Sequence, residues 1–117
     1  MIEADRIRLV HMLEASKEAL LFIGEKSRFD LEADRQLQMA VTREIEIIGE
    51  AAGKVSQETQ GKHKDIPWAK ISNMRNHLAH VYFDIDLDVV WDTLTRNLPR
   101  LISELEAVLS GSSDIGV

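Results

Sequence analysis

Apolar residues recur every three or four positions along nearly the whole chain, and that spacing predicts helices rather than strands. Four main helices are expected. The first covers about Ile2 to Glu25, with Ile7, Val10, Leu13, Leu20 and Leu21 on an inward stripe and Gly24 near its end. The second begins after Asp30, read as its N-cap, and runs to about Glu58. Its inner face is Leu37, Val41, Ile45, Ile48, Ala52 and Val55, at roughly 40 Å one of the two longest rods. Gly61 is expected to break that helix, and Pro67 to open a short third one that turns Trp68, Ile71 and Met74 inward. The fourth starts after Asp86 and ends near Leu109, with a heptad seam of Leu87, Trp91, Leu94, Leu98, Leu101, Leu105 and Val108. Pro99 lies inside that seam and is expected to kink the helix, because it lacks a backbone donor.

These pieces describe an all-α antiparallel four-helix bundle with a short extra helix, spanning residues 1–109 and followed by a disordered Gly/Ser-rich tail, 110–117. Two of the helices are longer than so small a bundle requires, which leaves apolar surface for a second copy of the chain. The alternative is that one protomer's core consumes both stripes.

Length and composition narrow the class. At 117 residues the chain can bury a core of its own, and with no cysteine it has neither disulfides nor thiol chemistry. No apolar run approaches the roughly 18–20 residues of a spanning helix, and Glu3 and Asp5 beside Arg6 and Arg8 do not resemble a signal peptide, so a cytoplasmic protein without membrane contact is expected. The net charge of −6 would repel a polyanion, yet it is unevenly spread. Residues 1–60 sum to −4, residues 61–80 to +3 and residues 81–117 to −5, so only the middle segment suits phosphate. That segment also holds His63, His77 and His80, three of the four histidines.

The chemistry concentrates in Met74-Arg75-Asn76-His77-Leu78-Ala79-His80-Val81-Tyr82. A permanent cation, an imidazole and a phenol in so short a stretch can cleave RNA without a metal. His80 would take the proton from a 2′-hydroxyl and Arg75 would neutralise the pentavalent phosphate. On one straight helix Arg75 and His80 diverge by about 140°, so either the helix ends near His80 or Arg75 of one protomer meets His80 of another. Asn76 shares a face with His80 and can fix its tautomer. His77 could protonate the leaving oxygen or simply contact phosphate.

Other clusters carry less. His77 and His80 have no carboxylate at a metal-ligand spacing, and no metal or cofactor is expected. Glu46 and Glu50 could form an acid/base pair, but Glu50 also stands four residues from Lys54, where an ion pair forms. Gly49, Ala52 and Gly53 lie mid-helix and are read as permitting close packing, and His11 as structural.

Arg75, His80 and Tyr82 are arranged as R-x4-H-x-Y, and the flanks Arg43-Glu44-Ile45-Glu46-Ile47-Ile48-Gly49-Glu50-Ala51-Ala52, Ile66-Pro67-Trp68 and Tyr82-Phe83-Asp84-Ile85-Asp86 follow in order. In these the chain resembles the HepT-like toxins of the HEPN superfamily, from about Ile2 to Leu109. The resemblance implies a metal-independent endoribonuclease toxin that works as a homodimer, with Arg75 and His80 catalytic in a composite cleft and Asn76 as the polar residue that follows the motif's arginine. It also implies a minimal nucleotidyltransferase antitoxin that transfers AMP to Tyr82, where a bulky anion would block the cleft and repel RNA. Two rival readings are a non-catalytic helical module that docks a nucleotidyltransferase, and a dimeric scaffold in which the motif's polar residues only tie the third helix.

Overall fold

The structure is a computed structural model, and it describes residues 1–74 and 85–111. All its elements are helical: α1 (Glu3–Ile23), α2 (Arg28–Ala33), α3 (Arg35–Gly53), α4 (Gln57–Lys62), α5 (Trp68–Ser72), α6 (Leu87–Asp92) and α7 (Leu98–Leu109). A π-helical stretch, Thr93–Asn97, joins α6 to α7, so residues 87–109 form one rod. The expected helical bundle is therefore present. The tail expected to be disordered falls, beyond Gly111, outside the described residues.

α1 and α3 pack antiparallel and form the centre of the molecule, with the last rod against α1 and the short α5 against α3. The predicted face of α3 is the buried one: Leu37, Val41, Ile45, Ile48 and Ala52 all turn inward, and Val55 follows just past the helix end. Each large side chain among them contributes roughly 1.5–3 kcal/mol by leaving water.

On α1 the expected stripe holds only in part: Leu13 and Leu20 pack against the core. Ile7 and Leu21 are 44% and 79% exposed, while Leu9, Met12, Ala15, Ser16, Ala19 and Ile23 face the core. The buried side of α1 combines the large Leu9, Met12 and Ile23 with the small Ala15, Ser16 and Ala19. The hydroxyl of Ser16 donates to the carbonyl of Met12 at 2.7 Å and so enters the interface without an unmet donor.

The expected second helix is divided into three. Ser27, not Asp30, caps α2: its hydroxyl accepts from the Asp30 amide, while the Asp30 carboxylate accepts from the Ser27 amide at 2.8 Å. Asp34 is extended at φ −123° and its side chain caps α3 at the Leu37 amide. At the other end, α3 stops at Gly53 and Ser56 caps α4. Asp5 explains this stop. Its carboxylate, 2% exposed, accepts from the Ser56 amide at 3.0 Å, the Ser56 hydroxyl at 2.5 Å and the Thr59 hydroxyl at 2.6 Å, which fixes the start of α4 against α1. Gly61 does not break a helix; it lies inside α4 with open space around it.

Pro99 is the second residue of α7 and follows the π stretch directly within the continuous rod, so its missing donor falls where the helical hydrogen-bond register changes. The irregularity sits one turn earlier, in the π stretch. Thr93 and Thr95 each donate a hydroxyl at 2.8 Å to the carbonyl four residues back, Val89 and Trp91 respectively. The seam survives: Leu94, Leu98, Leu101, Leu105 and Val108 are buried, with Leu87 and Trp91 packed against them.

Candidate functional site

Arg75, Asn76, His77, His80 and Tyr82 lie outside the described residues. What the structure describes is the frame on either side of them.

The preceding anchor is α5. Pro67 stands just before its first residue, and Trp68 and Ile71 turn inward as their spacing predicts, followed by Met74. The Trp68 indole donates to the carbonyl of His63 at 3.0 Å, which pins the start of α5 to the end of α4. α5 presses on α3 at Gly49, where a Cβ would stand 3.1 Å from the carbonyl oxygen of Ile71 and 3.5 Å from that of Ser72. At Gly53 the nearest atom to such a Cβ is that of Ser72, 3.8 Å away. Gly49 is thus the glycine that allows the close approach, and it sets the depth from which the chain leaves Met74.

The following anchor is the start of α6. Ile85 packs on the core, and the Asp86 side chain accepts from the amides of Asp88 and Val89 at 3.1 and 3.2 Å. Arg28 on α2 reaches Asp88 at 2.9 Å, so a third element holds this end. Both anchors border one cavity of about 700 Å³, whose lining includes Asn73 and Met74 from one side and Asp86 and Val89 from the other. The two ends of the motif segment are therefore neighbours. The electrostatics there are mixed: Lys70 on α5 faces Asp86, Asp88 and Asp92.

The remaining candidates are resolved by their partners. Glu46 lies 3.9 Å from Arg43 on α3, and Glu50 lies 3.7 Å from Lys54 just past its end, the ion pair its spacing predicts. His11 is exposed on α1. Among the described residues no three His, Asp or Glu side chains form a metal-ligand set, and no helix is long and apolar enough to cross a membrane.

Two buried carboxyls have displaced titrations. At Asp5, burial works against ionisation, but the hydrogen bonds from Ser56 and Thr59 outweigh it and hold the group below its ordinary value. At Glu44, burial is the largest cause, and with the neighbouring Glu18 carboxyl it pushes the group up to about 7. Glu44 was missed as a chemically distinct residue in the sequence. The signal was its place directly before Ile45 on the buried face of α3, where a carboxyl cannot reach bulk water.

A family model described as "Ribonuclease HepT-like" matches residues 12–108. A protein of Thermococcus cleftensis named "Probable ribonuclease HepT" is 37% identical over 98 residues, covering 80% of this chain and 89% of its own. A candidate RNase of Methanocaldococcus jannaschii is 30% identical, covering 89% of this chain and 86% of its own. Another from Caldanaerobacter subterraneus subsp. tengcongensis is 31% identical, covering 92% and 96%. No solved structure matches.

Proposed function

The chain belongs to the HepT-like ribonuclease family, and from that premise we propose that it is the toxin of a toxin–antitoxin pair, a metal-independent endoribonuclease acting as a homodimer. The observation that carries the reading is the motif Arg75, His80 and Tyr82, which falls inside the matched region and is bracketed by two anchored helix ends. His80 removes the 2′-hydroxyl proton. Arg75 holds the charge of the phosphorane, and Asn76 keeps the imidazole in the useful tautomer. His77 is available to protonate the 5′-oxygen as it leaves. The products carry a 2′,3′-cyclic phosphate or the 3′-phosphate formed from it.

Dimerisation is supported by exposed apolar surface close to one anchor. Phe29 is 73% exposed on α2, and Leu21 and Phe22 end α1 nearby in the chain. Arg28, next to Phe29, is the residue paired with Asp88 in the first turn of α6. A second copy covering that surface would bring two motif segments to one cleft, where Arg75 of one protomer can serve His80 of the other. A minimal nucleotidyltransferase antitoxin, adding AMP to Tyr82, silences such a cleft by charge and bulk.

The test is cleavage of RNA by purified protein in the presence of a chelator. Wild type cuts and leaves cyclic phosphate ends, whereas Arg75→Ala and His80→Ala are inactive with unchanged melting temperature. Normal cleavage by His80→Ala would overturn the assignment, and inactivity of the wild type would favour a docking module instead.

A further inference from the structure

Beside the frame, α5 and the last rod enclose a second cavity of about 210 Å³. Its floor is apolar, made by the buried Ile71, Met74, Leu98 and Leu101. Its rim is polar, with Lys70 and Arg100 as cations, Asp65 and Glu104 as carboxylates and Asn97 as a neutral hydrogen-bonding group. That volume is below the roughly 300–1,000 Å³ of a site for a drug-sized ligand, and suits a single planar ring system. Neither cation is firmly engaged. Lys70 makes no ion pair or hydrogen bond among the described residues, and Arg100, 78% exposed, stands 3.8 Å from Glu104. The Glu104 side chain, 17% exposed, is turned into the wall.

The position of this cavity matters as much as its lining. Met74 in the floor immediately precedes Arg75. Lys70, Met74 and Asn97 also line the cavity between the two anchors, while Arg100 and Glu104 continue into an open cleft bordered by Lys62 and Lys64. One path therefore runs from the motif's ends, past the small cavity, to the most basic part of the chain.

We propose that this cavity is a nucleotide subsite, taking one unstacked base of a single-stranded RNA next to the bond that is cut, with Lys70 and Arg100 on the flanking phosphates. The proposal rests on the nuclease reading above. A base has two apolar faces and a polar edge, so the buried floor takes a face and the rim takes the edge. Glu104 can only accept hydrogen bonds when ionised, so it takes a donor on the base's edge, an exocyclic amino group or a ring N–H. A base within a duplex must first unstack and unpair to enter, so single-stranded RNA is preferred over paired RNA. With two phosphates held in a chain of net charge −6, the cations act locally rather than by a broad field.

The experiment uses RNA oligonucleotides with one cut site, in which the bases near that site are replaced in turn by abasic residues. Wild type is expected to lose at least tenfold in kcat/KM at one position only. Asn97→Trp, which fills the cavity, is expected to cut that abasic substrate and its intact parent equally. The double variant Lys70→Glu/Arg100→Glu raises KM at least tenfold with an unchanged melting temperature, whereas Lys17→Gln on α1 does neither. Equal cutting of every abasic substrate by wild type, or an unchanged KM in the double variant, overturns the subsite and leaves the nuclease standing. Failure of wild type to cut any RNA removes both.

Discussion

The carboxyl of Glu44 on α3 meets that of Glu18 on α1, and only Glu18 is exposed to solvent. One oxygen of Glu44 is buried without a hydrogen-bond partner. Burial and the facing carboxyl raise Glu44 from 4.5 to about 7, so the folded protein keeps a proton that the unfolded chain releases. Stability should therefore fall as pH rises from about 4.5 and level off above about 7. Glu44→Gln removes the slope and is expected to add about 1–3 kcal/mol at pH 8 but little at pH 4.5. Urea unfolding at the two pH values measures the difference, and equal effects at both would contradict it.

Asp5 has the opposite sign. Its folded titration lies below the ordinary aspartate value, so its contribution is present at neutral pH and is lost as pH falls through the folded value. Asp5→Ala leaves the Ser56 amide and the hydroxyls of Ser56 and Thr59 without their shared acceptor. The expected cost at pH 7 is about 2–4 kcal/mol, read as a drop in melting temperature that narrows towards pH 2.

Gly49 and Gly53 separate packing from propensity. Alanine at Gly53 meets only ordinary contact, at 3.8 Å from Ser72 Cβ, and is expected to be neutral or to stabilise by up to about 1 kcal/mol. Alanine at Gly49 must displace the Ile71 carbonyl, 3.1 Å away, and with it the end of α5. Under the proposed function, Gly49→Ala lowers kcat/KM at least tenfold while Gly53→Ala leaves it unchanged. Comparable activity in both variants would show that α5 does not set the motif's position.

Under the proposed function, co-expression with a minimal nucleotidyltransferase encoded beside this chain should add mass to it in steps of about 329 Da, one AMP per step, in keeping with modification by added negative charge. Tyr82→Phe is expected to abolish the increment. An increment that persists in that variant places the modification elsewhere.

Much of the fold was legible from spacing because burial and period coincide where a helix has one apolar face. The α3 stripe from Leu37 to Val55 and the seam from Leu94 to Val108 are of this kind. α1 was legible only in part because it is flanked by α3 on one side and the last rod on another. Its apolar residues are spread around it, and Ala15, Ser16 and Ala19 outweigh Ile7 and Leu21 at the contact. The stops at Asp34 and Gly53 depended on long-range partners, Asp5 for Ser56 above all, which local sequence does not reveal. The roles proposed for Arg75, His80 and Tyr82 rest on residue types and on the family resemblance and fall outside the described residues, whereas the small cavity beside Met74 is assembled from residues some thirty positions apart.

The π stretch at Thr93–Asn97 makes the last rod two independently phased halves. Each residue turns a helix by about 100°, so removing one from this stretch would rewind it into ordinary helix and rotate α6 by that angle against α7. Leu98 to Val108 would keep their grip on the core, but Asp86, Ile85 and the Arg28 clasp would swing out of register. Under the proposed function, a single-residue deletion outside the motif would thus disarm it without unfolding the molecule, which makes the bulge a phase coupler between the scaffold and the segment it carries.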